Sequence, residues 1–158
     1  MAYPPNNRSY DNRGRDFRPK PQVEAEDFPQ DYVDYADRKV KEYLDYLNEQ
    51  NRTTNRRCEP ITTTKLRNIL SMLMEVYNVE KIRVEESICE ESVVKMQLAR
   101  IRLAYECGRE GAGTKMFVEW THLLPWLKEA GKSREKVLRY IHYVEALVAY
   151  YRYHGGKD

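Results

Sequence analysis

Three histidines, three cysteines and scattered carboxylates are the groups through which this chain could hold a metal or move a proton. His122, His142 and His154 form no HxxH or HxxxH pair, and no carboxylate completes a ligand motif with them. Cys58, Cys89 and Cys107 are far apart, odd in number and make no CxxC, so neither a zinc knuckle nor a disulfide framework is expected. They read as reduced, inert thiols that pack like small hydrophobes. There is no GxxxxGK[ST] phosphate loop. Gly111-Ala112-Gly113 lacks the preceding strand that would make a GxG meaningful and reads as a helix–helix connection. No nucleophile elbow surrounds any serine or cysteine. Glu145 lies close to an apolar helical stripe, where a buried ion pair is the expected role. Catalytic residues, a metal and a cofactor are all expected to be absent.

Basic side chains are the chemistry that remains. Lys65 and Arg67 stand near the start of one helical stretch, off its apolar stripe. Lys95, Arg100, Arg102 and Arg109 fall in another, within a fifteen-residue window whose only acids are Glu106 and the neighbouring Glu110. Arg139 and Arg152 lie among Tyr140, Tyr143, Tyr150, Tyr151 and Tyr153. Arginine suits phosphate because its planar fork donates two parallel hydrogen bonds. With 27 Lys and Arg against 25 Asp and Glu, net charge is only +2, so a nucleic-acid role must rest on local patches. Spacing alone leaves solvated faces open for the cations, and core or rim positions for the tyrosines.

The elements that must position these residues are helical. Apolar residues make up 41% and charged residues 33%, enough for one modest core in a single domain. Residues 1–29 stand apart as a flexible or extended tail. Pro4, Pro5, Pro19, Pro21 and Pro29 interrupt it, and Arg8, Arg13, Arg15, Arg18 and Lys20 outnumber Asp11 and Asp16. Tyr3, Tyr10 and Phe17 make a base-stacking arm the alternative to a solvated tail.

Residues 30–158 carry helical periodicity. The first helix is expected from an Asp31 cap to about Gln50, with Val33, Ala36, Val40, Tyr43 or Leu44, and Leu47 inward. A polar connection containing Arg52, Arg56 and Arg57 leads to the second, capped by Thr62, Thr63 or Thr64 and stopped at Asn78. Its stripe is Leu66, Ile69, Leu70, Leu73 and Val76 or Tyr77. The third should run from Glu85 or Glu86 to Gly108 on an inward face of Val94, Leu98, Ile101 and Tyr105, with Val93 and Ala104 alongside. The fourth, capped by Thr114, carries Phe117, Trp120, Leu124 and Leu127, and Pro125 should kink it or split it in two. Ser133 caps the last, along Val137, Ile141, Val144, Val148 and Tyr151, and Gly155-Gly156 stop it. The fold expected is all-α, a compact bundle of about five helices.

Three stretches resemble a known family in its own order. Leu103-Ala104-Tyr105-Glu106-Cys107-Gly108-Arg109 is similar to the LAYxxGR that closes the central helix in small subunits of the type III-A CRISPR effector (Csm) complex. Tyr143 to Tyr151, followed by Gly155-Gly156, resembles that family's EAxVAYxxxxGG signature, and Thr62 to Arg67 resembles its Thr-Thr-x-x-hydrophobic-Arg helix opening. The resemblance implies a non-catalytic helical subunit. Several copies would stack along crRNA paired with target RNA, beside the complex's backbone and large subunits. It puts RNA contact on Arg67 and Arg109; helical geometry extends the set to Lys65, Arg100 and Arg102. Apolar or aromatic rim residues such as Trp126, Tyr140 and Tyr153 would serve contacts between copies. No apolar run spans a bilayer and the N-terminal stretch has no signal-peptide core, so the cytoplasm is expected.

The alternative is a stand-alone helical adaptor that binds protein and no nucleic acid. The feature that separates the two is whether Lys65, Arg67, Arg100, Arg102 and Arg109 gather on one face.

Overall fold

A computed structural model describes residues 26–55, 57–109 and 112–158. Six helices follow one another: α1 Tyr32–Thr53, α2 Thr63–Glu80, α3 Glu90–Arg109, α4 Ala112–Trp120, α5 Leu123–Ala130 and α6 Arg134–Tyr153. The all-α bundle expected from periodicity is the fold observed, and no named strand occurs among the described residues. The basic stretch with Tyr3, Tyr10 and Phe17, and Arg56, Glu110 and Gly111, lie outside them.

Helix α6 is the spine, packed along α1, α2 and α5. Val137, Tyr140, Ile141, Tyr143, Val144, Leu147 and Tyr151 are buried on it, closing over Val40, Tyr43 and Leu47 of α1 and Leu66, Ile69, Leu73 and Val76 of α2. Caps behave much as the sequence indicates. Thr62 accepts from the Lys65 amide at 3.3 Å and Ser133 from the Lys136 amide at 3.4 Å, each taking up an orphan donor of the first turn. Asp31 occupies the cap position of α1 without a side-chain bond. The predicted fourth helix divides at Thr121–His122, where His122 takes a left-handed φ of 54°, and Pro125 falls in the first turn of α5, where its missing N–H costs nothing.

Several boundaries and faces differ from expectation. Helix α1 runs to Thr53, because the Thr53 and Thr54 hydroxyls bond back to the carbonyls of Glu49 and Gln50. Helix α2 continues past Asn78 to Glu80. Helix α3 begins at Glu90, not Glu85, because residues 81–89 form a loop bonded to the α5–α6 turn: Ile88 N donates to the Lys132 carbonyl, and Arg134 N to that of Glu86. Thr114 is buried inside α4 rather than capping it. On α1 Tyr35 is inward, while Val33 is 44% exposed. Leu70, Tyr77, Trp120, Leu124 and Val148 are only partly buried.

Trp126 and Tyr140 belong to the core rather than the rim, and only Tyr153 of that trio is exposed. Buried rings need their polar ends satisfied. Trp126 Nε1 donates to the Glu26 carbonyl at 2.8 Å and the Tyr140 hydroxyl to the Leu123 carbonyl at 2.9 Å. Glu145 is exposed and lies 3.5 Å from His142; among the described residues the buried acids are Glu80 and Glu106. Phe28, grouped with the tail by composition, packs its ring against Trp126 and Tyr143.

The largest departure concerns α3. Its inward residues are Ser92, Met96, Ala99, Leu103 and Glu106, and the expected stripe of Val94, Leu98, Ile101 and Tyr105 points to solvent. Small side chains at Ser92 and Ala99 allow the close helix approach that longer ones would prevent.

Candidate nucleic-acid interface

Helices α2 and α3 lie side by side, joined by the 81–89 loop, so the start of α2 adjoins the end of α3. A groove of about 330 Å³ runs between them, lined by Lys65, Asn68, Met72 and Glu75 on α2 and by Arg102 and Glu106 on α3. Lys65 sits in the capped first turn of α2. Arg102 is fixed by Glu106, one helical turn on, whose buried carboxylate lies 3.1 Å from Nε. That contact occupies one edge of the guanidinium, and the side chain remains 53% exposed. The Tyr105 ring supports it from 5.8 Å. Lys95, nearer the start of α3, is held 3.2 Å from Glu75 and 3.0 Å from Glu91. These carboxylates push the Lys95 ammonium above its ordinary value, the hydrogen bond it donates to Glu91 first.

The structure brings together some of the five expected cations and separates others. Lys65 and Arg102 share the groove. At about 100° per residue, Arg109 falls within about 20° of Arg102 on the same flank of α3, two turns on. Arg100 lies about 160° away, on the opposite flank. Arg67 is turned away from Lys65 by a similar angle and feels the carboxylate of Asp158, whose pKa is held down chiefly by its hydrogen bond to Arg152 and in smaller part by Arg67. The five therefore do not form one face. The groove is also close to neutral, because Glu75 and Glu106 stand beside Lys65 and Arg102. Glu106 is the groove residue that spacing understated: its i, i+4 relation to Arg102 was visible, but its burial was not.

The histidines and cysteines are dispersed. His122 is buried against Trp126, His142 lies beside Tyr77, and His154 contacts Asp37. Burial pushes the thiols of Cys58 and Cys107 up, away from the thiolate form that ligates or attacks. Among the described residues no group of three His, Cys, Asp or Glu is placed to hold a metal ion, and no helix is long and apolar enough to cross a membrane.

Residues 39–157 match the family model described as Csm2 Type III-A. The chain is 34% identical over 129 residues to a Streptococcus thermophilus protein named CRISPR system Cms protein Csm2, covering 82% of this chain and 95% of that one. A Mycobacterium tuberculosis (strain CDC 1551 / Oshkosh) protein of the same name is 37% identical over 98 residues, covering 62% and 78%. One from Enterococcus italicus is 32% identical over 100 residues, covering 62% and 71%.

Proposed function

The chain belongs to the Csm2 family of type III-A CRISPR systems, and on that premise we propose that it is the small structural subunit of a cytoplasmic Csm effector complex. It performs no catalysis of its own. Several copies stack along crRNA paired with target RNA, next to the backbone and large subunits, and contact the nucleic-acid backbone in antiviral defence.

The observation that supports RNA contact is the α2–α3 groove, where Lys65 and Arg102 stand on facing walls and Arg109 continues the Arg102 flank. A subunit that follows a duplex of any sequence needs phosphate contacts, which position without specifying. Arg102 meets that need because Glu106 fixes one edge of its guanidinium while the side chain stays half exposed. Arg67 and Arg100 lie on other sides of the bundle, so a straight duplex cannot meet all five cations. Those two contact RNA only where a second segment passes.

Binding to RNA by the isolated protein should be weak, indifferent to sequence and steeply salt-dependent, with a log–log slope of about −0.7 to −0.9 per phosphate neutralised. Lys65→Ala/Arg102→Ala should flatten that slope by about two contacts, and Arg67→Ala/Arg100→Ala by less. Filter binding at several salt concentrations measures both. Equal or reversed effects would remove the groove from the assignment.

A second reading, protein docking without nucleic acid, draws on the dispersal of Arg67 and Arg100 and on the apolar outer face of α3. Salt-insensitive or absent RNA binding by the full chain favours it.

A further inference from the structure

We infer that Arg67 and Arg152 form a phosphate site for RNA that the carboxylate of Asp158 occupies in competition, so that the chain regulates this contact with an acid of its own. The inference rests on the RNA contact proposed above and concerns a different part of the surface from the α2–α3 groove.

The residues after α6 are tied down by their backbone. Gly155 N donates to the Arg152 carbonyl at 3.1 Å and Gly156 N to that of Tyr151 at 2.8 Å, closing α6. Gly156 lies against the Tyr151 ring, where a Cβ would come within 2.1 Å of it. The Lys157 carbonyl then accepts from the Thr63 amide at 2.7 Å and from Thr63 Oγ1 at 2.9 Å, while the Lys157 ammonium pairs with Glu59. These bonds deliver Asp158 to the first turn of α2. Its carboxylate accepts a hydrogen bond from Arg152 Nη1 of α6. Arg67, one turn beyond Thr63 and within about 40° of it around α2, adds a second positive charge. Two guanidinium groups from different helices therefore act on one carboxylate.

A carboxylate in this position offers what a phosphodiester offers: one negative charge and two acceptor oxygens, the pattern that an arginine fork meets with parallel bonds. Exchange between the two is easy, because the Arg152 and Asp158 side chains are 54% and 67% exposed and an exposed ion pair is weak. Anchor and occupant are also separate. Lys157 holds the turn through its backbone carbonyl, so the Asp158 side chain can rotate aside while the contact with α2 stays. An acid that served only the fold would be buried or would share in the anchor, and Asp158 does neither.

Fluorescence anisotropy of a labelled oligouridylate titrated with the full chain tests the inference. Asp158→Asn keeps the shape and removes the charge, and should tighten binding about two- to fivefold, the reach of an exposed ion pair, with unchanged helical circular dichroism. In a chain that also carries Arg67→Ala and Arg152→Ala, the Asn change should bring no gain. The two alanine changes should cost the Asn variant more affinity than they cost the parent, whose arginines are already engaged. The inference alone is overturned if the parent binds RNA and Asp158→Asn binds no tighter. It is overturned equally if the gain persists without the two arginines, which would make it a general effect of charge. If neither the parent nor the variant binds RNA at low salt, the RNA reading falls and this inference with it.

Discussion

Tyr43 joins three parts of the chain through one hydroxyl. It donates to the Gly113 carbonyl at 2.9 Å and accepts from the Ile61 amide at 3.1 Å, while its ring meets Phe117 edge-on. Burial pushes its phenol well up, so it remains a neutral donor at any working pH. Gly113 permits this junction because a Cβ there would lie 1.8 Å from the Glu59 carbonyl oxygen. Tyr43→Phe keeps the ring and strands two buried backbone groups, each costing about 1–3 kcal/mol. Urea denaturation should show that loss with an unchanged m-value. A loss below about 0.5 kcal/mol would mean that water or a shifted backbone replaces the hydroxyl. The helical stripe marked Tyr43 or Leu44 as inward but could not show this bond, because its partners lie 18 and 70 residues away.

At the scale of elements, the loop between α2 and α3 is fixed by one buried carboxylate. Glu80 is fully buried at the end of α2, and its Oε1 accepts from the Cys89 amide at 2.9 Å, capping α3 from outside. Arg83 Nε lies 3.2 Å from the other oxygen, and Arg134 bonds to the carbonyls of Glu80 and Glu85. Desolvation raises the Glu80 carboxyl, but hydrogen bonds from Ser92 and Cys89, with the Arg83 charge, outweigh it and hold the group below its ordinary value. Its contribution to stability is therefore complete above the unfolded value of about 4.3 and is lost as pH falls through the lower folded value. Glu80→Gln should be less stable at neutral pH, and its stability should fall less than the parent's on acidification below about pH 4.5. Parallel thermal melts from pH 3 to pH 7 measure this. Parallel slopes would place the acid sensitivity elsewhere.

The same region shows how far the sequence was legible. Existence, order and approximate limits of the helices follow from 3.6-residue periodicity, because every long element has a buried side. The inward face of α3 does not follow, because the helix has two apolar sides and the more hydrophobic one is outside. Periodicity reports that a face is apolar, and cannot tell a core from an interface. The start of α3 was misplaced for a related reason: Glu85 and Glu86 look like a helical first turn, yet long-range bonds to Lys132 and Arg134 hold them in a loop. In the candidate site, residue types were legible and grouping was not. The relative rotation of α2 and α3, which unites Lys65 with Arg102 and sets Arg100 apart, is fixed only by packing.

For the whole molecule, the short segment ahead of α1 completes the core. Glu26 accepts from the Tyr35 hydroxyl at 2.7 Å, and Phe28 lies between Tyr32, Trp126 and Tyr143 under the Arg139 guanidinium. A chain beginning at residue 30 should be less stable than one beginning at residue 26 by about 1.5–3 kcal/mol, the worth of burying one large side chain. Differential melting of the two proteins measures this. Equal stability would make the segment an ornament of the bundle.

Trp126 turns that docking into a light signal. Its indole is 1% exposed, stacks on His122 at 4.9 Å and donates its N–H to the carbonyl of Glu26. In the variant Trp120→Phe it would be the sole tryptophan of the chain, with emission at the blue end of the indole range. Release of residues 26–29 would wet the ring and free its N–H, moving emission to the red while α1 to α6 stay folded. Fluorescence followed beside circular dichroism would then resolve loss of this strap as a step ahead of global unfolding. Coincident transitions would show that strap and bundle melt as one unit.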